Sequence, residues 1–218
     1  MFRTFGFEEF WFIFSAMRWT LALTAIAFGG GMIGGLVIAL ARISSVAAFR
    51  YPALVIIRVF QGTPLLMQIF LVFFGLNLVG VKIDPLIAAS VAFTLHASAF
   101  LGEIWRGCIE AVPRGQSEAS WALGLNYHDR MISVVLPQAA RIAVAPTVGF
   151  LVMLLKGTSL ASIIGFIEIT RAGQVVNNMT FQPLVVFSIV AALYFALCWP
   201  LSFFAKLMER QFSKASAR

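Results

Sequence analysis

The sequence is poor in charge, cysteine and histidine. Of its 218 residues only 11% are Asp, Glu, Lys or Arg, and only 9 are acidic. A soluble domain carries about 25% charged residues. That shortage excludes a disordered chain, and it argues against almost any soluble enzyme. The 2 cysteines, Cys108 and Cys198, lie in or beside apolar runs, which excludes a disulfide framework. With His96 and His128 they make no metal-ligand spacing, so no metal residues are assigned. No G-x-x-x-x-G-K-[ST] loop is present to cradle a phosphate. No acid–base pair or nucleophile with an orienting partner is visible, so no catalytic residues are assigned. Glu8 and Glu9 interrupt the N-terminus and no small-residue site closes a short apolar core, so no cleavable leader is expected.

What is present is apolar. Hydrophobic residues make up 61% of the chain and mean hydropathy is +0.93. A membrane span needs about 20 mostly apolar residues. Five runs meet that need: Trp19 to Ala41, Val59 to Val81, Pro85 to Gly102, Ile142 to Ile167 with Lys156 as its single charge, and Leu184 to Ala205. Backbone polar groups must be satisfied inside lipid, and the runs are too long and uniform for alternating barrel strands, so they read as helices. The expected fold is an all-α integral membrane protein of five transmembrane helices, with 1–218 as one domain. Residues 19–208 form its membrane part, 1–18 an interfacial segment and 209–218 a tail.

The basic residues set the orientation. Net charge is +7, which in a soluble domain would raise nucleic acid as a partner. Here the bases fall at the ends of apolar runs, so the lipid bilayer is the partner and nucleic acid is not. Arg42, Arg50, Arg106, Arg114, Arg130, Arg141, Lys206, Arg210, Lys214 and Arg218 fall on one side; Arg3, Arg18, Lys82 and Arg171 fall on the other. The richer side is cytoplasmic. The N-terminus is therefore expected outside, and the C-terminus and the 103–141 region inside. Phe2, Phe5, Phe7, Phe10, Trp11, Phe12 and Phe14 read as aromatic interfacial anchors or, less simply, as a binding surface. In the first span Gly30 and Gly34 share a face, as do Gly31 and Gly35. Such spacing serves packing within the chain, a dimer contact or a sliding surface.

The connection between the third and fourth spans, 109–137, is long and informative. Pro113 and Gly115 break the incoming helix, and Ser117 is placed to cap a short helix from Glu118 to Leu123. Gly124 with Asn126 suits its stop, and Leu136-Pro137 ends the next segment before the fourth span. Ala119, Trp121, Ala122 and Leu123 form an apolar surface rimmed by charge, which reads either as a docking knob or as an ordinary loop with one helical turn.

At this point a resemblance emerges. Glu118-Ala119-Ser120, Gly124 and Val134-x-Leu136-Pro137 resemble the E-A-A-x3-G-x9-I-x-L-P signature of ABC importer membrane subunits, with Ser120 and Val134 as mild departures. Gln61-Gly62-Thr63-Pro64-Leu65-Leu66 resembles the R-G-T-P-L-L motif of the polar amino acid permease subfamily. Glu103-Ile104-Trp105-Arg106-Gly107 is similar to its A-E-x-x-R-G segment, Pro113-Arg114-Gly115-Gln116 to its P-x-G-Q lead, and Lys156-Gly157-Thr158-Ser159-Leu160 to its K-D-T-S-L motif. Gln61 replaces an arginine and Gly157 an aspartate.

The resemblance implies a permease of an ATP-driven amino acid importer in the bacterial cytoplasmic (inner) membrane. Its implied partners are two ATPase subunits, a second permease subunit (identical or paralogous), an external solute-binding protein and a polar amino acid. ATP and Mg would bind the ATPase, with no cofactor on this chain. It assigns ATPase coupling to the 117–128 loop helix through Gln116, Ser117, Glu118, Ala119, Ser120, Leu123 and Gly124, with Leu136 and Pro137 closing the signature.

Two polar stretches interrupted by Gly or Pro mark a candidate substrate path: Gln61, Thr63, Pro64 and Gln68 in the second span, and Lys156, Gly157, Thr158 and Ser159 in the fourth. Lys156 reads equally as a structural lysine with a carboxylate or carbonyl partner. The missing aspartate at Gly157 leans toward neutral or acidic substrates. His96 reads as a packing residue or a proton relay, and His128 as solvated. Glu168 and Arg171 read as a solvated pair or a binding-protein contact. The rival functions are an ion-coupled secondary amino acid transporter, an intramembrane enzyme and an inactive structural paralogue. The absence of a clear internal repeat and of mid-span carboxylates argues against the first.

Overall fold

A computed structural model describes residues 4–216, with side chains as far as Glu209. Phe2, Arg3 and Arg218 of the sequence reading lie outside the described residues, and Arg210 and Lys214 outside the described side chains. All the regular secondary structure of the described residues is helical, with no strand. Four helical stretches are long and apolar enough to cross a membrane: Phe7–Ile43, Pro85–Glu110, Tyr127–Ile164 and Pro183–Glu209. Ala47–Gly62 and Leu65–Leu78, bent by 104°, make a fifth if taken as one span.

Helix α1 (Phe7–Ile43) has 37 residues, about 55 Å at 1.5 Å each. The Gly6 N–H donates to Glu9 Oε2 at 3.0 Å, and Glu8 and Glu9 fill the first turn, where the helix dipole favours anions. Phe7, Phe10, Trp11, Phe12 and Phe14 of the expected interfacial stretch thus lie on the same unbroken helix as the first span. Helix α2 (Ala47–Gly62) and the shorter α3 (Leu65–Phe70) take the place of the second span expected over Val59 to Val81, broken at Thr63-Pro64. A wide turn over Leu71–Gly75 carries α3 into α4 (Leu76–Leu78).

Helix α5 (Pro85–Glu110) starts where Asp84 caps it, accepting from the Leu86 N–H at 2.8 Å, with Pro85 preset for the first turn. It is the centre of the bundle. Ala88, Ala89, Ala92, Phe93, Ala97 and Leu101 are fully buried. Gly30, Gly31, Gly34 and Gly35 of α1 lie against it. A β-carbon on Gly31 would overlap Ala97, one on Gly34 would overlap Ser98, and one on Gly35 would come within 2.8 Å of Leu101 Cβ. The glycine pairs therefore serve packing within the chain, one of the three uses their spacing allowed.

After α6 (Arg114–Ala122) and α7 (Tyr127–Arg130), a wide π turn over Met131–Val135 leads into α8 (Leu136–Gly157). The helix that carries the fourth span therefore runs on from Tyr127 to Ile164 and begins ahead of Ile142. Leu136-Pro137 does not end a segment. Pro137 sits in the first turn of α8, where its missing N–H costs least, and the wide turn before it absorbs its ring. Trp105 Nε1 pins α5 to α8 by donating to Thr147 Oγ1 at 2.9 Å. The last helices are α9 (Ile169–Thr180) and α10 (Pro183–Ser216). Ile13 and Ala16 of α1 meet Ile169, Ala172 and Val176 of α9 and Val186 and Val190 of α10 in a second apolar cluster.

Candidate functional site

The break in the second span follows from Pro64. It has no N–H to donate, and it holds Thr63 in an extended conformation (φ −114°, ψ 141°), so α2 stops at Gly62 and α3 restarts at Leu65. Breaking a helix strands carbonyls. Gln68, on the first turns of α3, collects them: its Nε2 donates to Phe60 O at 2.8 Å, Thr63 O at 3.0 Å and Thr63 Oγ1 at 2.9 Å. Those carbonyls are obligate acceptors, so the amide orientation is fixed and Oε1 faces His96 Nδ1 at 3.1 Å. Oε1 can only accept, so Nδ1 carries the proton and Nε2 is the imidazole acceptor. The His96 ring stacks on Phe100 and Phe100 on Phe150, with centroids 4.4 and 5.6 Å apart.

Gln68 is therefore a buried latch with its amide fully used, and the packing use of His96 is the one realised here. Gln61, Gly62, Thr63 and Pro64 are exposed. Non-helical backbone at membrane depth is tolerated only where protein covers it or water reaches it.

The second interrupted stretch behaves differently from a helix that opens. Beyond Gly157 the chain tightens into a 3-10 helix, Thr158–Ile164, and turns at Gly165 (φ +87°). Thr158 is fully buried, and its hydroxyl donates to Leu155 O at 2.7 Å. Ser159 Oγ donates to Lys156 O at 2.8 Å. Lys156 is exposed. Gly157 faces the other break. A β-carbon there would lie 3.4 Å from Phe93 and 3.5 Å from Leu65. The fold thus brings Gly157 to the Pro64-Leu65 corner, while Lys156 and Thr158 point elsewhere.

At one end of the bundle α6 forms a knob. It begins at Arg114, because the Gln116 N–H already bonds Pro113 O at 3.0 Å, so Ser117 is internal rather than a cap. Its end is a Schellman turn: Leu125 N–H to Ser120 O at 3.1 Å, Gly124 N–H to Trp121 O at 2.9 Å, and Gly124 at φ +79°. The 117–128 stretch is therefore two helices with Gly124 between them. Asn126 does not stop the first; it caps α7 by accepting from the Asp129 N–H at 3.0 Å.

Val112, Val135 and Ala139 form a small buried cluster flanking the loop, and Gln138 Nε2 donates to Gln116 Oε1 at 3.4 Å, joining the two ends of the signature. Ser120 is buried, Leu136 half-buried, and Gln116, Glu118, Ala119, Gly124 and Pro137 exposed. Trp121 and Leu123 are 73% and 81% exposed, an apolar pair that needs covering. Beside it Arg106 binds both Glu103 and Glu110 at the end of α5.

At the opposite end the sequence reading missed Glu168. It is fully buried and caps α9, accepting from the Thr170 and Arg171 N–H groups, both at 2.8 Å, and from Tyr194 O–H at 2.7 Å. It is not a solvated partner of Arg171, whose Nη1 donates to Gln174 at 3.2 Å. Burial pushes the Glu168 carboxyl up from its ordinary value, against the pull of the Thr170 N–H and the Tyr194 hydroxyl. The signal available was positional: an acidic residue just before an amphipathic run, after Gly165, is a helix cap.

The family described as "Binding-protein-dependent transport system inner membrane component" matches residues 31–214. The chain belongs to this family. It is a multi-pass protein of the bacterial inner membrane, and a transport component rather than itself catalytic. The family implies an ATPase and a solute-binding partner. Over 97% of its length it is 36% identical to the L-cystine transport system permease protein TcyB of Bacillus subtilis (strain 168), covering 91% of that protein. It is 33% identical over 89% of its length to the glutamine transport system permease protein GlnP of Escherichia coli (strain K12), covering 90% of that protein. A solved amino acid ABC transporter with histidines superimposes with a TM-score of 0.88 at 34% identity, over 92% of this chain and 94% of that one.

Proposed function

We propose that this chain is one of two permease subunits, identical or paralogous, that carry a polar amino acid inward on two ATPase subunits, fed by an external solute-binding protein. The observation that carries this reading is the exposed, polar corner Gln61-Gly62-Thr63-Pro64 in a broken span, opposite Gly157. Lipid cannot cover it, so a second permease subunit and an aqueous substrate path do. Gln61 and Thr63 offer neutral donors and acceptors, and no carboxylate stands at Gly157, so the substrate is a neutral or acidic amino acid. The printed names of the relatives support an amino acid as cargo.

The N-terminus lies outside, and the C-terminus and the 109–137 loop inside. There α6 seats Trp121 and Leu123 in the ATPase, with Glu118 presenting its charge. ATP and Mg sit on that partner. ATP-driven closure of the ATPase pair moves α6, and the spans rock between inward- and outward-open arrangements.

The test is the ATPase rate of this chain with its ATPase in nanodiscs. Stimulation only when binding protein and a neutral or acidic amino acid are both present supports the reading. Association with an ATPase but no amino-acid-dependent stimulation, with every permease subunit supplied, contradicts it.

A further inference from the structure

Helix α2 is the first arm of the broken span, and its two arginines sit in different surroundings. Arg50 lies in the first turn and packs on the Tyr51 ring, with its Cζ 5.5 Å from the ring centre. Arg58 lies two turns further in, about 16 Å along the helix from Ala47. It is exposed, and its exposed neighbours Val55, Ile56 and Val59 are all apolar. Ala53 and Ile57 bury another side of α2 against Ile38 of α1. Positions three and four apart share a helix face. Arg58 therefore shares a face with Gln61 and Gly62, and the exposed polar corner extends one turn back along α2 to a cation.

That cation has no counter-ion within the chain. Among the described residues Arg58 makes no hydrogen bond, ion pair or ring contact. The carboxylates are engaged elsewhere. Glu103 and Glu110 hold Arg106, Asp84 caps α5 and Glu168 caps α9. The others stand in the first turn of α1, in the 109–137 loop or near the end of α10. A second copy of this chain would bring the same set, and so no free carboxylate for this arm. A lipid phosphate would meet α2 at its start, beside Arg50, rather than two turns further in. A charged side chain inside a span is costly, and it faces the bundle interior or a water-filled cavity. The anion left to meet it is one that travels the path: a carboxylate of the amino acid. A guanidinium holds a carboxylate through two parallel hydrogen bonds.

We infer that Arg58 binds a carboxylate of the cargo as it passes the corner between α2 and α3. Gln61, on the same face, supplies the neutral donor and acceptor beside that contact. The inference rests on the import reading above and names the residue that recognises the cargo's charge.

The test is amino acid uptake into proteoliposomes by the full complex, with its ATPase, saturating loaded binding protein and every permease subunit. Arg58→Gln is expected to lower uptake about tenfold, the scale of one charge-assisted hydrogen bond. Its thermal midpoint should not move, since Arg58 bonds nothing within the chain. Arg50→Gln, at the other arginine of α2, is the control and should take up amino acid like wild type. Chemical rescue then separates charge from shape. With Cys108 and Cys198 replaced by alanine, Arg58→Cys should be as slow as Arg58→Gln. A thiosulfonate reagent that leaves an ammonium on the thiol should raise its uptake severalfold, and one that leaves a sulfonate should not. Wild-type uptake by Arg58→Gln, or equal effects of the two reagents, overturns the assignment. So does a fall in thermal midpoint alongside the loss, which marks a structural role. A loss confined to vesicles containing anionic lipid also overturns it, because it marks a headgroup contact. Should Arg58→Gln fail to assemble, the two reagents on assembled Arg58→Cys decide. A wild-type complex that takes up no amino acid overturns the import reading itself; wild-type uptake without an effect at Arg58 overturns this assignment alone.

Discussion

Gly157 and Leu65 face one another across the two interrupted spans: a β-carbon on Gly157 would stand 3.5 Å from Leu65 Cδ2, at ordinary van der Waals distance. One methyl group fits that space and a branched chain does not. Gly157→Ala is therefore expected to transport at a rate close to wild type. Gly157→Leu is expected to wedge the corner and lower transport at least tenfold while the protein still inserts. Uptake into proteoliposomes checks both; equal uptake by the two variants refutes the facing arrangement.

The α1–α5 contact has no room for side chains at Gly31 or Gly34, since a β-carbon would overlap Ala97 or Ser98. Gly31→Val forces the helices apart, and overpacking of this kind costs about 1–3 kcal/mol. A lowered thermal midpoint in detergent is expected. Gly29→Val, where nothing lies within 4 Å of the added atom, is the control and should leave the midpoint unchanged.

The latch at Gln68 predicts a difference between two neutral substitutions. Gln68→Leu removes the donor shared by the carbonyls of Phe60 and Thr63, and each such hydrogen bond contributes about 0.5–1.5 kcal/mol. His96→Phe removes one bond and keeps the stack on Phe100. Protease sensitivity at the α2–α3 corner should rise strongly in the first variant and little in the second.

At Gly124 the backbone is left-handed and the surrounding space is open, so Asn and Asp fit equally well there. They differ in charge. An anion at the end of α6 opposes the helix dipole and adds to Glu118 on the docking face. Gly124→Asn should keep transport-coupled ATPase activity near wild type, and Gly124→Asp should lose most of it with insertion intact. Equal activities would remove the docking role of this turn.

The apolar runs made the spans legible, and Gly62 with Pro64 marked the break, because lipid and proline impose local rules. The size of the bend was not legible. It depends on Gln68 meeting His96, 28 positions away. The helix that carries the fourth span begins ahead of Ile142, and Arg130, Arg141 and Pro137 hide that continuity in the sequence. Thr158 follows Lys156 closely in sequence, yet the two point apart, since side chains two positions apart on a helix do not share a face. Glu168 was read as solvated because a charge beside a span is usually in water. Its burial depends on Tyr194, 26 positions on, which carried no signal of its own.

The most direct measurement is water access to the broken corner. Cys108 and Cys198 are buried and are replaced by alanine. Gln61→Cys is then compared with Ile33→Cys, a position 72% exposed on the apolar face of α1. A charged, membrane-impermeant thiol reagent, applied to the assembled transporter from both sides, should label Gln61→Cys in at least one nucleotide state and leave Ile33→Cys untouched. Labelling of neither, or of both alike, would mean that the corner does not line a water-filled path.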